Sequence, residues 1–595
     1  MPKHATQSES IGDQETKFHV TAAAYIGQTG LENPSRLRAE TEVMCLLLDP
    51  GNFGGNGFRA NGGPVLLRDI DRPTLFSPQI IPQQFDPDTA KSWLGYCAKH
   101  HRLLCETELE SVHGLQVIDC TTFSIKSGGP GLAYVALSYV WEKSGGACGS
   151  IREEGGRKWL PEKLSAVIRD SIEVTKALGY RYLWVDKFCI DQNDPATKHD
   201  QIQHMDAIYQ NSALTIISAA GIDETHGLPG VSGTARRRQL IIRAEGVTVI
   251  QALKDPQHSI ASSHWSTRGW TFQEALLSRR RLVFTDDQMY FECNTMNCFE
   301  SFYMPLDILH TKNKSKTYEF LRSGMFSRNR KQKFGKIVRG RLSLYNFFCR
   351  YLSNVEDYSA RRLGYDEDSL NAFRGVLARF SKERHTFGHV WGIAYPDLSP
   401  RGICCFVYAL AWSHAASLER PRRRSMFPSW TWIGWHGPVE YEFDDGRKLC
   451  FFIGIRGLRF GDQAGGPAVE FSELCPESRY TVLHITGPVI PFRHFAYHPT
   501  AINNQTWTMN KYPASLSWSR DGRSNAEIFQ VLKNGSKWQC LYIGSHLKTS
   551  YVVILELRPD TTVWERAGIF CVEAWTWDID DIAKGDQYLR TFAIM

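Results

Sequence analysis

The sequence predicts an α/β protein: a parallel sheet covered by helices on both faces in three layers, followed by a β-rich C-terminal region. Two observations carry this expectation. Between 134 and 221 near-continuous apolar strands alternate with amphipathic helices, and beyond about 440 strand-like runs dominate. The length of 595 residues also exceeds what one hydrophobic core supports, so two or three domains are expected.

In chain order, an N-terminal extension spans 1–88 and is expected to be partly disordered, its first 20 or so residues being polar. VMCLLL (43–48) has the length of a core strand. GNFGGNGFRANGG (51–63) is glycine-rich but lacks the Lys-Ser/Thr ending of a phosphate-binding loop, and reads as turns. KSWLGYCAKHHRLLC (91–105) has helical periodicity, and its Cys97, His100, His101 and Cys105 invite a zinc reading. No second paired cluster follows at the usual spacing, so it reads as a helix with buried thiols and no metal site is expected.

YVALSYVW (134–141) is the first apolar strand. LPEKLSAVIRDSIEVTKALG (160–179) carries Leu164, Val167, Ile168, Ile172 and Leu178 on one helical stripe closed by Gly179. YLWVD (182–186) is a strand ending in an acid, ATKHDQIQHMDAIYQNS (196–212) a helix, and ALTIISAAG (213–221) a third strand. This rhythm implies parallel pairing with right-handed crossovers. HWSTRGWTFQEALLSRRRLVF (264–284) begins with a short helix that Ser266 or Thr267 could cap, and RLVFTDDQMYFEC reads as a hairpin turning at Asp286–Asp287. A basic linker or insertion follows at 311–345, then a helical, tryptophan-rich segment at 346–440 and the β-rich region at 441–595. The tryptophans of PSWTWIGW (428–435) read as packing between the two halves of the protein.

A hydrophobic share of 42% excludes wholesale disorder, and a net charge of +6 over this length gives no reason to expect a nucleic-acid partner. No apolar run approaches the roughly 18 residues needed to cross a bilayer, so no membrane partner is expected. Fifteen cysteines, an odd number scattered singly behind a polar N-terminus, point to reduced thiols in the cytoplasm, with the nucleus as the alternative.

In an open parallel sheet, ligands bind beyond the carboxyl ends of the strands. Ser138, Tyr139 and Trp141 fall there after the first strand; Asp186 falls there after the second, followed by Cys189, Asp191, Gln192 and Asp194. Glu274 lies on its helix among Trp270, Phe272, Leu276 and Leu277, surroundings that tune a catalytic carboxyl. The competing reading is a structural ion pair with Arg268 or with an arginine of 279–281. For Asp186 the competing reading is an acid that organises its loop, for Cys189 a small buried thiol, and for Trp141 and Trp270 core anchors.

AYVALSYVW, LWVDKFCIDQND with HMDAIYQNSALTIISAAG, and RGWTFQEALLSRRRLVF resemble, in order and spacing, the three signature blocks of the fungal heterokaryon incompatibility (HET) domain. WLGYCAKHHRLLC resembles the family's lead-in, and YSARRLGYDEDSLNAFRGVL and FPSWTWIGWHGPV its trailing segment; VVILELRPDTTVWERAGIF resembles it weakly. The resemblance places a HET domain at 89–310 with its signature core at 134–284. Glu142 departs from the glycine usual after the tryptophan and adds a side chain at the mouth of the first loop.

The resemblance implies self/non-self recognition between fused fungal cells ending in programmed cell death. The family is also distantly similar to Toll/interleukin-1-receptor-like (TIR) domains, many of which cleave NAD, which implies a TIR-like or flavodoxin-like fold. LSY resembles the TIR first-strand motif, and TRGWTFQEALL the segment carrying the TIR catalytic glutamate, which falls on Glu274. On that resemblance Glu274 is the catalytic candidate, and Ser138, Tyr139, Trp141, Asp186, Gln192 and Trp270 the nucleotide-contacting candidates. NAD enters as substrate with no further cofactor, and the expected protein partners are a second copy of the chain or an incompatibility partner. The alternative is a non-catalytic scaffold that signals by self-association.

Overall fold

Four strands at the centre of the first half of the chain run parallel. In spatial order they are Tyr182–Trp184, Tyr134–Ser138, Leu214–Ser218 and Arg280–Phe284. Numbered along the chain this is the order 2-1-3-4. Every residue of the last three is buried, which is why their sequences read as unbroken apolar runs rather than alternating ones.

The fold is that of a computed structural model describing residues 77–306, 324–326 and 344–595, apart from short stretches at 107–111, 143–145, 147, 245–246, 252, 304–305, 385, 416–420, 443–450, 476–478, 503–504, 521, 575–578 and 580–587, together with the backbone of three strands before residue 70. The chain divides into two compact units, Met1–Phe334 and Gly335–Met595.

The central sheet is mixed, a correction to the purely parallel expectation. Beyond Tyr182–Trp184 it continues antiparallel through Gln116–Asp119, Ser124–Ser127, Arg157–Trp159 and Arg152–Glu154. Beyond Arg280–Phe284 it continues through Met289–Cys293 and Asn297–Phe299, with Phe284 opposite Met289, so the predicted hairpin turns where expected. The added strands at 124–127 and 152–159 are short and mostly exposed, and leave no apolar run to read.

Local chemistry trims the predicted helices. The helix of 160–179 is Ala166–Ala177: Ser165 stands before it in an extended conformation, and Gly179, at φ +87°, takes the left-handed turn that ends it. The helix of 196–212 is two, Pro195–Gln203 and Met205–Asn211, broken at His204 (φ −101°, ψ 10°); Asp194 caps the first through the Ala196 N–H. Asp186 does not close a strand, which stops at Trp184; it opens the helical turn Asp186–Cys189. The N-terminal extension contributes His19–Ala24, Met44–Asp49 and Pro64–Asp69 to a second, antiparallel sheet with Val247–Gln251 and Ile241–Ala244. The glycine-rich stretch at 51–63 and nearly all of the basic stretch at 311–345 lie outside the described residues.

The second unit pairs four α-helices, Leu344–Ser359, Asp368–Glu383, Pro400–Ala409 and Asn525–Asn534, with a sheet of eleven strands among the described residues. Its tryptophans pack within the unit: the Trp432 ring meets Phe373 at 5.3 Å and Tyr358 at 5.8 Å, and its Nε1–H donates to Gly392 O at 2.9 Å. Arg566 is buried with its guanidinium 3.6 Å above the Trp412 ring, donating to Leu410 O and Trp412 O. Burial holds its pKa down at about 9. Replacing Arg566→Met strips two charge-assisted bonds and a stacking contact, so we expect a loss of about 3 kcal/mol in urea unfolding of this unit, with Arg566→Lys recovering little of it.

Candidate functional site

The site is built where the first parallel strand ends. Ser138 closes that strand and lies beside Ile217 of the third. Its hydroxyl accepts a hydrogen bond from Trp265 Nε1–H at 2.8 Å and donates to Glu274 Oε2. Glu274 is carried by the helix Trp270–Leu277. Gly269 precedes this helix without a side-chain cap; Ser266 and Thr267, the predicted caps, instead donate to Ala261 O, Ser263 O and His264 O at 2.7–2.8 Å. The helix is anchored by Thr271, whose hydroxyl donates to Trp265 O at 2.8 Å, and by Ser278, which donates to Glu274 O at 2.6 Å.

Glu274 is 5% exposed. Burial pushes its pKa up to about 7; the Ser138 hydrogen bond, Arg268 and the Tyr209 hydroxyl oppose the rise, and the Asp186 carboxylate adds to it. Asp186 responds in kind. Withdrawal of its carboxyl from water pushes its pKa up to about 6, against the Lys187 N–H at 2.7 Å and the Trp141 Nε1–H at 3.0 Å. The two carboxyls thus share one electrostatic environment with Arg268. The arginines of 279–281 are engaged elsewhere, which removes them as ion-pair partners for Glu274. Arg279 donates to Asn211 O and Ser212 O, Arg280 to Cys97 Sγ, and Arg281 to Ala275 O and Leu276 O.

The remaining candidates differ in position. Tyr139 is buried, and burial together with the nearby Asp186 and Glu224 charges holds its hydroxyl protonated. Trp141 is half-buried, with the Lys187 ammonium 5.6 Å from its ring centre. Gln192 is exposed and donates to Asp186 O at 3.3 Å, fastening the loop rather than facing the carboxyls. Trp270 packs against the main core of this unit, which fits its reading as an anchor. Burial pushes the Cys189 thiol up to about 12, the behaviour of an inert core thiol.

Three contributors escaped the sequence reading. Tyr209, on the helix Met205–Asn211, donates its hydroxyl to Leu137 O at 3.0 Å and lies within reach of Glu274. Trp265 supplies the indole donor to Ser138. Glu224, fully buried, pairs with Lys187 at 2.8 Å and accepts the Glu142 N–H at 3.2 Å. It follows the third strand, and that position at a carboxyl end was the available signal.

Removing the Ser138 hydroxyl takes a donor from the ionised form of Glu274. Ser138→Ala should therefore raise the Glu274 pKa above about 7, read as an upward shift of its carboxyl resonance titration.

Residues 134–274 match the family described as "Heterokaryon incompatibility protein (HET)". Heterokaryon incompatibility protein 6, OR allele, of Neurospora crassa is 31% identical over 97 residues, covering 15% of this chain and 14% of that relative. No solved structure matches. The first three parallel strands and the carboxyls at their edge thus lie in the stretch that is similar to the heterokaryon incompatibility (HET) family.

Proposed function

We propose that this chain acts in heterokaryon incompatibility as a self/non-self recognition protein of the fungal cytoplasm. In this reading its HET segment triggers cell death by hydrolysing NAD through Glu274. The observation that carries it is the meeting of Glu274 and Asp186 beside Ser138, at the carboxyl end of the paired first and third strands. The strand order 2-1-3-4 is that of the flavodoxin-like arrangement, whose ligands bind at this switch point, and it supports the TIR-like reading.

The chemistry suits the groups present. Cleavage of the nicotinamide–ribose bond passes through an oxocarbenium-like state, and the leaving pyridinium is already cationic and needs no proton. Water adds to the ribose carbon, nicotinamide leaves with the bonding electron pair, and one proton is released. A carboxylate at Glu274 binds the ribose hydroxyls and stabilises the developing charge. With two like-charged carboxyls raised into the neutral range, an arriving pyridinium draws both toward the ionised form.

A second reading, a non-catalytic scaffold acting by self-association, is favoured by the Trp265–Ser138–Glu274 chain, which closes around a carboxyl only 5% exposed. Purified chain, clustered through a dimerising fusion and unclustered, incubated with NAD and assayed for nicotinamide separates the two. Release on clustering supports hydrolysis. No release in either state, with fungal cell death unchanged in Glu274→Ala, removes it.

A further inference from the structure

Cys97 and His101 come from the end of the helix Pro87–His100 and the residue after it, and Cys105 from the end of the short helix Arg102–Cys105. The bend at His101 (φ −118°, ψ 22°) separates the two helices. Cys293 arrives from the far end of the hairpin strand Met289–Cys293, 192 residues beyond His101. The three Sγ atoms and one imidazole nitrogen all lie within 4.8 Å of one another, and all four residues are buried, none more than 1% exposed.

From this convergence we propose that Cys97, His101, Cys105 and Cys293 form a structural, tetrahedral zinc site.

Zinc–sulfur bonds of about 2.3 Å and a zinc–nitrogen bond of about 2.0 Å require ligand atoms about 3.5–3.8 Å apart in a tetrahedron. Cys293 Sγ and His101 Nδ1 already stand at 3.4 Å. The widest separation, within 4.8 Å, exceeds the requirement by at most about 1 Å. Three soft thiolates with one imidazole select zinc over hard, oxygen-preferring cations.

The surroundings suit thiolates. Cys293 Sγ accepts the N–H groups of Thr295 and Met296, both at 3.4 Å, in the tight turn after its strand. The Arg280 guanidinium donates to Cys97 Sγ at 3.2 Å. Three thiolates and a neutral imidazole leave a zinc complex with one net negative charge, and Arg280 balances it. Such outer hydrogen bonds orient metal ligands and hold their charge. The site ties the lead-in helices to the hairpin next to the fourth parallel strand, closing a long stretch of chain with one ion.

The test uses the full chain produced in zinc-supplemented medium and kept reduced. Elemental analysis is expected to find about one zinc per chain after gel filtration, and X-ray absorption at the zinc edge three sulfurs and one nitrogen. Cys97→Ser and Cys293→Ser should each lose most of the metal, while Cys298→Ser, a buried thiol outside the cluster, should keep it. Removing zinc from the unaltered protein with a chelator should lower its Tm. Reduced, folded wild-type chain that retains neither zinc nor added cobalt overturns the proposal. So does a zinc shell of oxygen ligands, or a disulfide among Cys97, Cys105 and Cys293 in protein isolated with its thiols blocked.

Discussion

On the proposed NAD-hydrolysing function, Glu274→Gln is expected to lose at least about 100-fold in nicotinamide release from NAD and to leave fungal cells expressing it alive, because the amide keeps the shape and removes the charge proposed to stabilise the oxocarbenium. The same variant has a second, independent signature. The Glu274 pKa in the folded chain, about 7, lies above the ordinary 4.5. Between those values the folded state holds a proton on Glu274 that the unfolded chain has released, so the contribution of Glu274 to stability falls as pH rises from about 4.5 to 7 and is level above. Glutamine cannot ionise. Glu274→Gln should therefore be more stable than wild type at pH 8, by of order 3 kcal/mol, with the advantage vanishing below about pH 4.5. Urea denaturation at pH 4.5 and pH 8 measures it. A variant that gains stability at pH 8 yet still kills assigns Glu274 to structure, whereas gain of stability with loss of both toxicity and nicotinamide release assigns it to chemistry.

Glu224→Ala should be among the most damaging single changes in the first unit. Glu224 is fully buried, while the Lys187 side chain it pairs with keeps 18% of its surface. Deleting the acid strands the ammonium beside Trp141, removes the acceptor for the Glu142 N–H, and takes away the partner of the Cys148 thiol. Breaking a buried pair from one side costs about 3–5 kcal/mol, and we expect that loss in the unfolding midpoint of the first unit. Because Trp141 also donates to Asp186, the released loop should raise the KM for NAD more than it lowers kcat. Glu224→Gln, which keeps an acceptor for Glu142, should fall between the two.

How much of this was legible follows from how each signal is written in a sequence. The strands Tyr134–Ser138 and Leu214–Ser218 were readable because burial on both faces forces every residue to be apolar or small. The turn at Asp286–Asp287 was readable from its own chemistry. The outer strands at 124–127 and 152–159 were not, since exposure erases the apolar run and pairing partners are set by tertiary contacts. The break at His204 left no mark because no glycine or proline stands there. Ser138, Asp186 and Glu274 could be nominated one by one from their positions at strand ends and in a helix. Their meeting, and the parts of Tyr209, Trp265 and Glu224 in it, depend on register between segments far apart in sequence. Cys293 shows the same limit. Cys97, His101 and Cys105 were visible as a run, while the fourth ligand sits on a strand whose pattern announces only a hairpin.

The family match stops at Glu274, but the sheet does not. The fourth parallel strand, Arg280–Phe284, begins six residues later and covers the flank of Leu214–Ser218 through four residue pairs. A recombinant fragment trimmed to the matched span would leave the third strand with an open flank, an invitation to pair with another chain. It would also place a free chain terminus on the residue whose carboxyl is most worth studying. A fragment meant to report on Glu274 has to run past the hairpin to at least Phe299, and it has to begin before Pro87 if Cys293 is to keep its neighbours.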